Sequence, residues 1–391
     1  MKILLGVPEY PPFNVGGGGE VFKNLAENYK KLGHDVVVLY GYYPTKSWWE
    51  DIIEYTDEKG IKFYRIPEIP YPKPLPYLRT AMPPNLNVLL KLKRIIQKEK
   101  PDIAHLHGYG LIFINILSNI LYNLEIKYIF TIHGYPETPN SKGLMIKIIY
   151  NLYLISCMGP TLKNSFKITG VSDYISFDKK IEKYNGKIIT ILNGINQDEY
   201  TEDKGSQNFD IYTKLNLSKD KDITIFSMGR LSKMKGFHLI IEKMKFFIDK
   251  GINIHYIITG VDDGYLIDLN KLIDNYKLNN NVHFLGWVDK KDLISLLYRC
   301  DMFAIPSLWD PCPIAAFEGM ACNKFIITTE AGGIKEILKD YPYKININVK
   351  NFFEKMLFII LKKEYQNHKK IDLSPMSWEN VSKKYIKCMI S

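Results

Sequence analysis

Residues 223–250 read ITIFSMGRLSKMKGFHLIIEKMKFFIDK. The apolar run Ile223–Met228 gives way to a loop carrying Gly229-Arg230 and Lys235-Gly236, and a helical pattern follows from about Gly236 to Lys250. The same unit recurs downstream. Ile254–Thr259 precedes a helical stretch around Leu266–Tyr276, and Val282–Leu285 leads to one near Lys291–Arg299. Met302–Ile305 is followed by a helix over Pro313–Ala321, and Phe325–Thr328 by one over Lys335–Lys339. Short apolar runs alternating with helices of about ten residues signify βαβ units and a parallel sheet. Strands of such a sheet are covered on both faces, so they read as unbroken apolar runs and not as an alternation.

The rhythm extends less cleanly toward the start of the chain. Strand candidates there are Ile3–Val7, Val36–Tyr40, Ile61–Ile66, Ile103–Leu106, Tyr128–Ile132, Ile168–Val171 and Ile188–Leu192. Helices are expected around Glu20–Leu32, Asn85–Lys98, Leu111–Leu124 and Leu144–Leu162. Seven prolines between Ile66 and Pro84 specify an extended loop, because proline fixes φ and donates no backbone hydrogen bond. The polar segment Gln197–Asp222 is the expected linker. The reading is two doubly wound α/β domains, residues 1–200 and 201–376, facing across a cleft. In such sheets ligands bind beyond the carboxyl ends of the strands, so the loops there are where chemistry is sought.

The length of 391 residues suits two domains, and 46% apolar with 24% charged residues excludes wholesale disorder. Fifty-two Lys and Arg against forty-two Asp and Glu leave +10, which favours anionic partners without choosing among them. No recognition helix or aromatic-basic module accompanies that charge, so no nucleic-acid partner is expected. Five cysteines without a Cys-x-x-Cys pair argue against a disulfide framework or zinc knuckle and for a reducing, cytoplasmic compartment. The opening MKILLGVPEYPP reads as a buried strand and not as a signal peptide. No apolar stretch reaches the ~18–20 residues of a membrane span.

Three loops carry candidate chemistry. Gly16 to Gly19 follow the first strand and open the first long helix, where glycine permits close backbone approach to a ligand. The glycines are contiguous and no Gly-Lys-Ser/Thr follows, which excludes a Walker motif and the spaced dinucleotide fingerprint. Arg230 and Lys235, a fork and a point charge at a strand end, suit a diphosphate. In the segment AIPSLWDPCPIAAFEGMA (304–321), Asp310 sits in a loop and Glu318 in the helix after it. Both carboxylates suit sugar hydroxyls. Glu318 lies among Ala315, Ala316, Phe317 and Met320, where a casual charge is costly. His105 and His107 close one strand and His133 another, just before Gly134. Asp220-Lys-Asp222 and Asp262-Asp263 read as solvated turns, so no metal site is assigned.

Taken together, Gly229-Arg230, Lys235-Gly236, Pro306-Ser307, and Asp310 ahead of Glu318 resemble the donor half of retaining glycosyltransferases of family 4. The glycine loop with Glu20, the run Thr131-Ile132-His133-Gly134, Val171-Ser172 and Asn193-Gly194 match in order, so the resemblance covers essentially the whole chain. It implies the GT-B architecture, with an N-terminal acceptor domain and a C-terminal donor domain. The final stretch Ser377–Ile390 resembles the helix that crosses back onto the first domain. By resemblance, Arg230 and Lys235 would hold the donor diphosphate, Glu318 the ribose, and Asp310 the sugar hydroxyls. Pro313 and Ile314 would line the donor, Gly17 and Gly18 would approach it from the other domain, and His133 would contact the transferred sugar. The family usually has glutamate at Asp310 and often glycine at Pro313, departures that bear on donor-sugar identity.

The function implied is retaining transfer from a UDP- or GDP-sugar to a glycan, lipid-linked or small-sugar hydroxyl, with no cofactor. Alternatives are a sugar-nucleotide epimerase or glycoside phosphorylase on the same fold, or a nicotinamide dehydrogenase. Lys142, Lys147, Lys163 and Lys167 flank the apolar stretch Leu144–Met158, a pattern suited to peripheral contact with an anionic membrane.

Overall fold

The opening apolar run forms β1 (Lys2–Val7), in which Ile3, Leu4, Leu5 and Val7 have 0% exposure. In the computed structural model, which describes residues 1–12, 17–42, 51–68, 86–135, 148, 152–206, 209–366 and 368–391, the chain divides into two compact units. One comprises Met1–Asn193 and Trp378–Ser391, the other Gly194–Ser377.

In the first unit β1 is followed by α1 (Gly17–Lys31), β2 (Asp35–Tyr42), β3 (Ile53–Thr56), β4 (Lys62–Pro67) and α2 (Leu86–Glu99). Then come β5 (Ile103–His107), α3 (Ile112–Asn123), β6 (Tyr128–Ile132), α4 (Gly159–Asn164), β7 (Lys167–Gly170), α5 (Asp173–Ser176) and β8 (Ile188–Thr190). The strands line up as β3-β4-β2-β1-β5-β6-β7-β8, all parallel except β3 against β4. The edge strand β3 escapes sequence reading because all four of its residues, IEYT, are exposed, so no apolar run announces it. Most of the proline-rich loop and most of Leu144–Tyr153, with Lys142 and Lys147, lie outside the described residues. The described end of that helical stretch is a π-turn, Leu154–Met158, running into α4.

The C-terminal helix Trp378–Ile390 belongs to this unit. Trp378, Val381, Tyr385, Cys388 and Met389 recur at helical spacing and are buried, the stripe expected of a helix that covers apolar surface. It packs on α1, where Lys31 reaches Glu379 at 2.9 Å. Among the described residues no helix is long and apolar enough to cross a membrane.

The second unit runs α6 (Ile211–Leu215), β9 (Ile223–Met228), α7 (Phe237–Asp249), β10 (Ile254–Thr259), α8 (Leu266–Tyr276), β11 (Val282–Gly286) and α9 (Lys290–Arg299). It continues with β12 (Met302–Ile305), α10 (Ile314–Ala321), β13 (Phe325–Thr328), α11 (Ile334–Ile337), β14 (Lys344–Asn346) and α12 (Phe352–Leu361). Its strands, all parallel, lie in the order β11-β10-β9-β12-β13-β14. The segment expected as a linker, Gln197–Asp222, is built into this unit, and the division falls between Asn193 and Gly194. Polar composition concealed that structure because hydrogen bonds hold the segment. Tyr298 donates to the Tyr200 carbonyl at 2.8 Å, Ser295 to that of Ser206 at 3.0 Å, and the Tyr212 hydroxyl to Asp301 at 3.2 Å.

One buried carboxylate ties α2 to the first sheet. Glu99, at the end of α2, accepts from Lys2 (2.9 Å), Lys62 (2.9 Å) and Tyr64 (2.6 Å). Burial pushes its carboxyl up, but Tyr64, Lys62 and Lys2 outweigh burial and hold it down at about 2. A carboxyl depressed in the fold stabilises it above the unfolded value, and that contribution fades as pH falls from ~4.3 toward about 2. Glu99→Ala strands two ammonium groups and a phenol, so urea unfolding at pH 7 should show a loss of ~3 kcal/mol that shrinks at pH 3. Wild-type stability in this variant would remove Glu99 as the anchor.

Candidate functional site

In the second sheet β9 pairs with β10 on one side and β12 on the other, so the order reverses between β9 and β12. The loops beyond those two strands meet at the crevice where doubly wound sheets take ligands. After β9 come Gly229 and Arg230, then a 3₁₀ turn over Lys233–Lys235. Gly236 turns the chain into α7 at φ +68°, and a Cβ there would lie 1.9 Å from the Pro306 carbonyl oxygen. Only glycine permits that approach. The Leu308 amide donates to the Met234 carbonyl at 2.8 Å, fastening the β9 loop to the β12 loop.

This fastening brings Lys235 to Asp310, Nζ to Oδ2 at 2.6 Å. Asp310 is 8% exposed and its backbone is held from below. The Gly333 amide donates to its carbonyl at 2.9 Å, and Gly332, at φ +61°, leaves room that a Cβ would fill 2.4 Å from the same oxygen. Arg230, expected beside Lys235, is engaged with Asp263 at 2.7 Å. Both side chains of that pair are more than 40% exposed, so the pair contributes little to stability and its guanidinium is readily redirected. Asp262 accepts from the amides of Gly264, Tyr265 and Leu266, which makes the Asp262-Asp263 turn a local cap.

Pro313 occupies the N-cap of α10 in extended conformation, and Ile314 is the first helical residue. Glu318 is half-buried on the same helix, and its Oε1 accepts from the Tyr200 hydroxyl at 2.6 Å. Burial and the Glu318 charge hold the Tyr200 phenol well above its ordinary range, so it stays a donor. The sequence gives no sign of this partnership across 118 positions. A cavity of about 460 Å³, lined by Asp210, Thr213, Asn216, Lys219 and Arg299 among others, lies apart from these loops. Tyr212, which also lines it, bonds Thr224 and Asp301 at the opposite, amino ends of β9 and β12.

The first unit gathers its candidates at strand ends in the same way. Gly17 and Gly18 begin α1, and a Cβ on Gly18 would lie 3.2 Å from the Glu9 carboxylate. The amino end of α1 thus faces an acidic group, which its dipole favours. His107 ends β5, His133 follows β6, and their rings join through His107 Nδ1 and His133 Nε2 at 2.8 Å. Behind them His105 bonds the Tyr29 hydroxyl at 2.9 Å and Thr131 Oγ1 at 2.6 Å. Burial pushes the His133 imidazole down to about 4, and burial followed by the neighbouring imidazoles drives His107 lower than usual too. Both are neutral at pH 7. Among the described residues no group of three or more His, Cys, Asp or Glu is set to hold a metal.

Two family models cover nearly all of this chain. Residues 15–199 match "Glycosyltransferase Family 4", and residues 208–372 match "Glycosyl transferases group 1". The chain is a glycosyltransferase of the GT-B type. It is 28% identical to an uncharacterised glycosyltransferase of Methanocaldococcus jannaschii, over 99% of this chain and 97% of the relative. It is 27% identical to an Escherichia coli UDP-Gal:alpha-D-GlcNAc-diphosphoundecaprenol alpha-1,3-galactosyltransferase, over 71% of this chain and 73% of that enzyme. The fold matches that of Anabaena HepE, solved with UDP and glucose, at a TM-score of 0.69 and 16% identity, with full coverage of both chains.

The close approach at Gly236 gives a stability test for this glycosyltransferase. Gly236→Ala should cost ~2 kcal/mol or more in urea unfolding, since strain at positive φ adds to the clash with Pro306. Gly186→Ala, which meets nothing within 4 Å among the described residues, should be near neutral. Equal stability of the two variants would show that the loops are not fastened at Gly236.

Proposed function

We propose that this glycosyltransferase moves a sugar from a UDP- or GDP-sugar to a hydroxyl acceptor with retention at the anomeric carbon. The second unit takes the donor and the first the acceptor. The observation that carries this reading is the 2.6 Å contact of Lys235 with Asp310 beyond β9 and β12. In a nucleotide sugar the diphosphate and the sugar ring meet at a single bond. A cation for the one and a carboxylate for the other must then be neighbours.

On donor binding Lys235 turns to the diphosphate and Asp310 accepts from sugar hydroxyls. Arg230 leaves Asp263 to close on the same phosphates. The first turn of α10, from Pro313 and Ile314, directs its amide dipoles at the anion. Glu318, steadied by Tyr200, accepts the ribose hydroxyls. Gly17 and Gly18 beside Glu9 suit a hydroxylated ligand better than a phosphate, because the carboxylate there repels anions. His133 contacts the transferred sugar. The relatives' names favour transfer over the epimerase, phosphorylase and dehydrogenase alternatives.

The acceptor hydroxyl attacks the anomeric carbon on the face from which the diphosphate departs. The bond from carbon to acceptor oxygen forms as the carbon–phosphate oxygen bond breaks, and a departing phosphate oxygen takes the hydroxyl proton. The protein contributes orientation and stabilises charge on the leaving group. Arg230→Ala should therefore lower kcat by ~10²-fold or more while leaving urea stability unchanged. Glu318→Gln should raise the donor Kd ~tenfold by calorimetry. Full turnover in a folded Arg230→Ala protein, assayed as nucleoside diphosphate release from UDP- and GDP-sugars, would reject the clamp.

A lipid-linked acceptor fits two observations. The Escherichia coli relative is named for a diphosphoundecaprenol substrate, and Ile148, Leu152 and Ile155 are 49%, 59% and 72% exposed near one another in sequence. Apolar side chains so placed, flanked by lysines, suit peripheral contact with an anionic bilayer. Flotation with phosphatidylglycerol vesicles at low salt should carry the protein upward, and Ile155→Asp should weaken it. Protein that stays at the bottom would point to a soluble acceptor.

A further inference from the structure

The paired histidines at the ends of β5 and β6 contain a detail that the transfer reading leaves unused. His107 is fully buried and its Nε2 has no hydrogen-bond partner among the described residues. Around it stand the rings of His105, 3.9 Å away, and Phe22, 5.0 Å away, between centroids. Its Nδ1 is 2.8 Å from His133 Nε2. Two neutral imidazoles joined in this way have only two proton arrangements. If His107 carries its proton on Nε2, a buried N–H is stranded against aromatic rings and His133 must donate from its own Nε2. If the proton is on Nδ1, the stranded atom is a lone pair, and His133 Nε2 becomes the acceptor. Stranded buried N–H groups are the rarer of the two in folded proteins, so the second arrangement prevails. A neutral His133 that accepts at Nε2 carries its proton on Nδ1. His107 is wholly buried while His133 is only half-buried, so of the two rings it is His133 that part of the solvent reaches.

We propose that His107 is a positioning residue whose Nδ1–H donates to Nε2 of His133, fixing His133 in the Nδ1–H tautomer and making it a hydrogen-bond donor toward the bound sugar. The tautomer follows from the first unit alone; its use in transfer rests on the reading that His133 meets the sugar. Fixed in this way, His133 offers an oxygen a proton to share and has no free lone pair with which to remove one. It cannot act as the general base, which leaves deprotonation of the acceptor to the departing phosphate. Histidine ligands to metals are held by the same device, in which the partner on one nitrogen dictates the form of the other.

The test is two-bond ¹H–¹⁵N correlation on the full-length ¹⁵N-labelled protein, with the His133 signals assigned by their loss in His133→Gln. The expected spectrum has a pyrrole-type Nδ1 and a pyridine-type Nε2 on His133. His107→Phe keeps a ring but removes the donor, so His133 should move toward the Nε2–H form and kcat should fall ~10-fold with donor KM little changed. His107→Gln supplies an amide N–H and should restore both the tautomer and most of kcat. An Nε2–H form in the wild type, an unchanged spectrum in His107→Phe, or equal losses in the Phe and Gln variants would overturn the proposal. If the tautomers behave as expected but His133→Gln turns over like wild type, the contact between His133 and the sugar is what fails. Donor binding by Lys235, Asp310 and Glu318 is then judged by its own variants.

Discussion

Enclosure of parallel strands on both faces is the constraint from which the rest of this molecule follows. Ile3, Leu4 and Leu5 in β1, and Phe226 and Ile257 in β9 and β10, have no exposure at all. Sheets buried in this way have no solvent face on which to place polar groups. Chemistry is displaced to the loops past the carboxyl ends, and the reversal of strand order opens a crevice there. Arg230, Lys235 and Asp310 in one unit, and His107 and His133 in the other, all occupy such positions.

Loops that carry charge must also be held still, and here the holding is done by backbone at close quarters. Gly236 lies against Pro306, and Gly332 against Asp310. A side chain at either position would push apart two loops whose relative placement sets the distance from Lys235 to Asp310. Helix ends are secured by side chains in the same unit, as where Asp289 accepts from Asp292 at the start of α9. Rigidity of this kind suits a site that works by orientation and charge, since misplacement by about an ångström is costly in rate.

The fold was largely legible in the sequence because burial writes itself as apolar runs. Every strand of the second sheet except β14 stands out in that way; β14, with lysine and asparagine at its ends, does not. β3 is invisible for the opposite reason, having nothing buried to report. The segment Gln197–Asp222 reads as a linker because hydrogen bonds at Tyr200, Ser206 and Tyr212 help to order it, and these leave no periodic trace. Among the candidate site residues, strand-end placement was readable. Pairings were not. The partners of Arg230, Glu318 and His133 are Asp263, Tyr200 and His107, and nothing local in the sequence joins them.

If the donor binds as proposed, the contact between Lys235 and Asp310 also bears on which anions the crevice would reject. At rest each group neutralises the other, with Asp310 almost wholly out of water. An anion that attracts the ammonium leaves behind a carboxylate with neither its cation nor solvent, and desolvated charge is severe when unpaired. Chloride, which has no hydrogen to donate, imposes that penalty without relieving it. A ligand that brings hydroxyl donors together with its negative charge supplies both groups at once. Under the proposed donor reading, the ion pair would compete against small anions that carry no hydrogen to donate, before the first contact with a sugar is made.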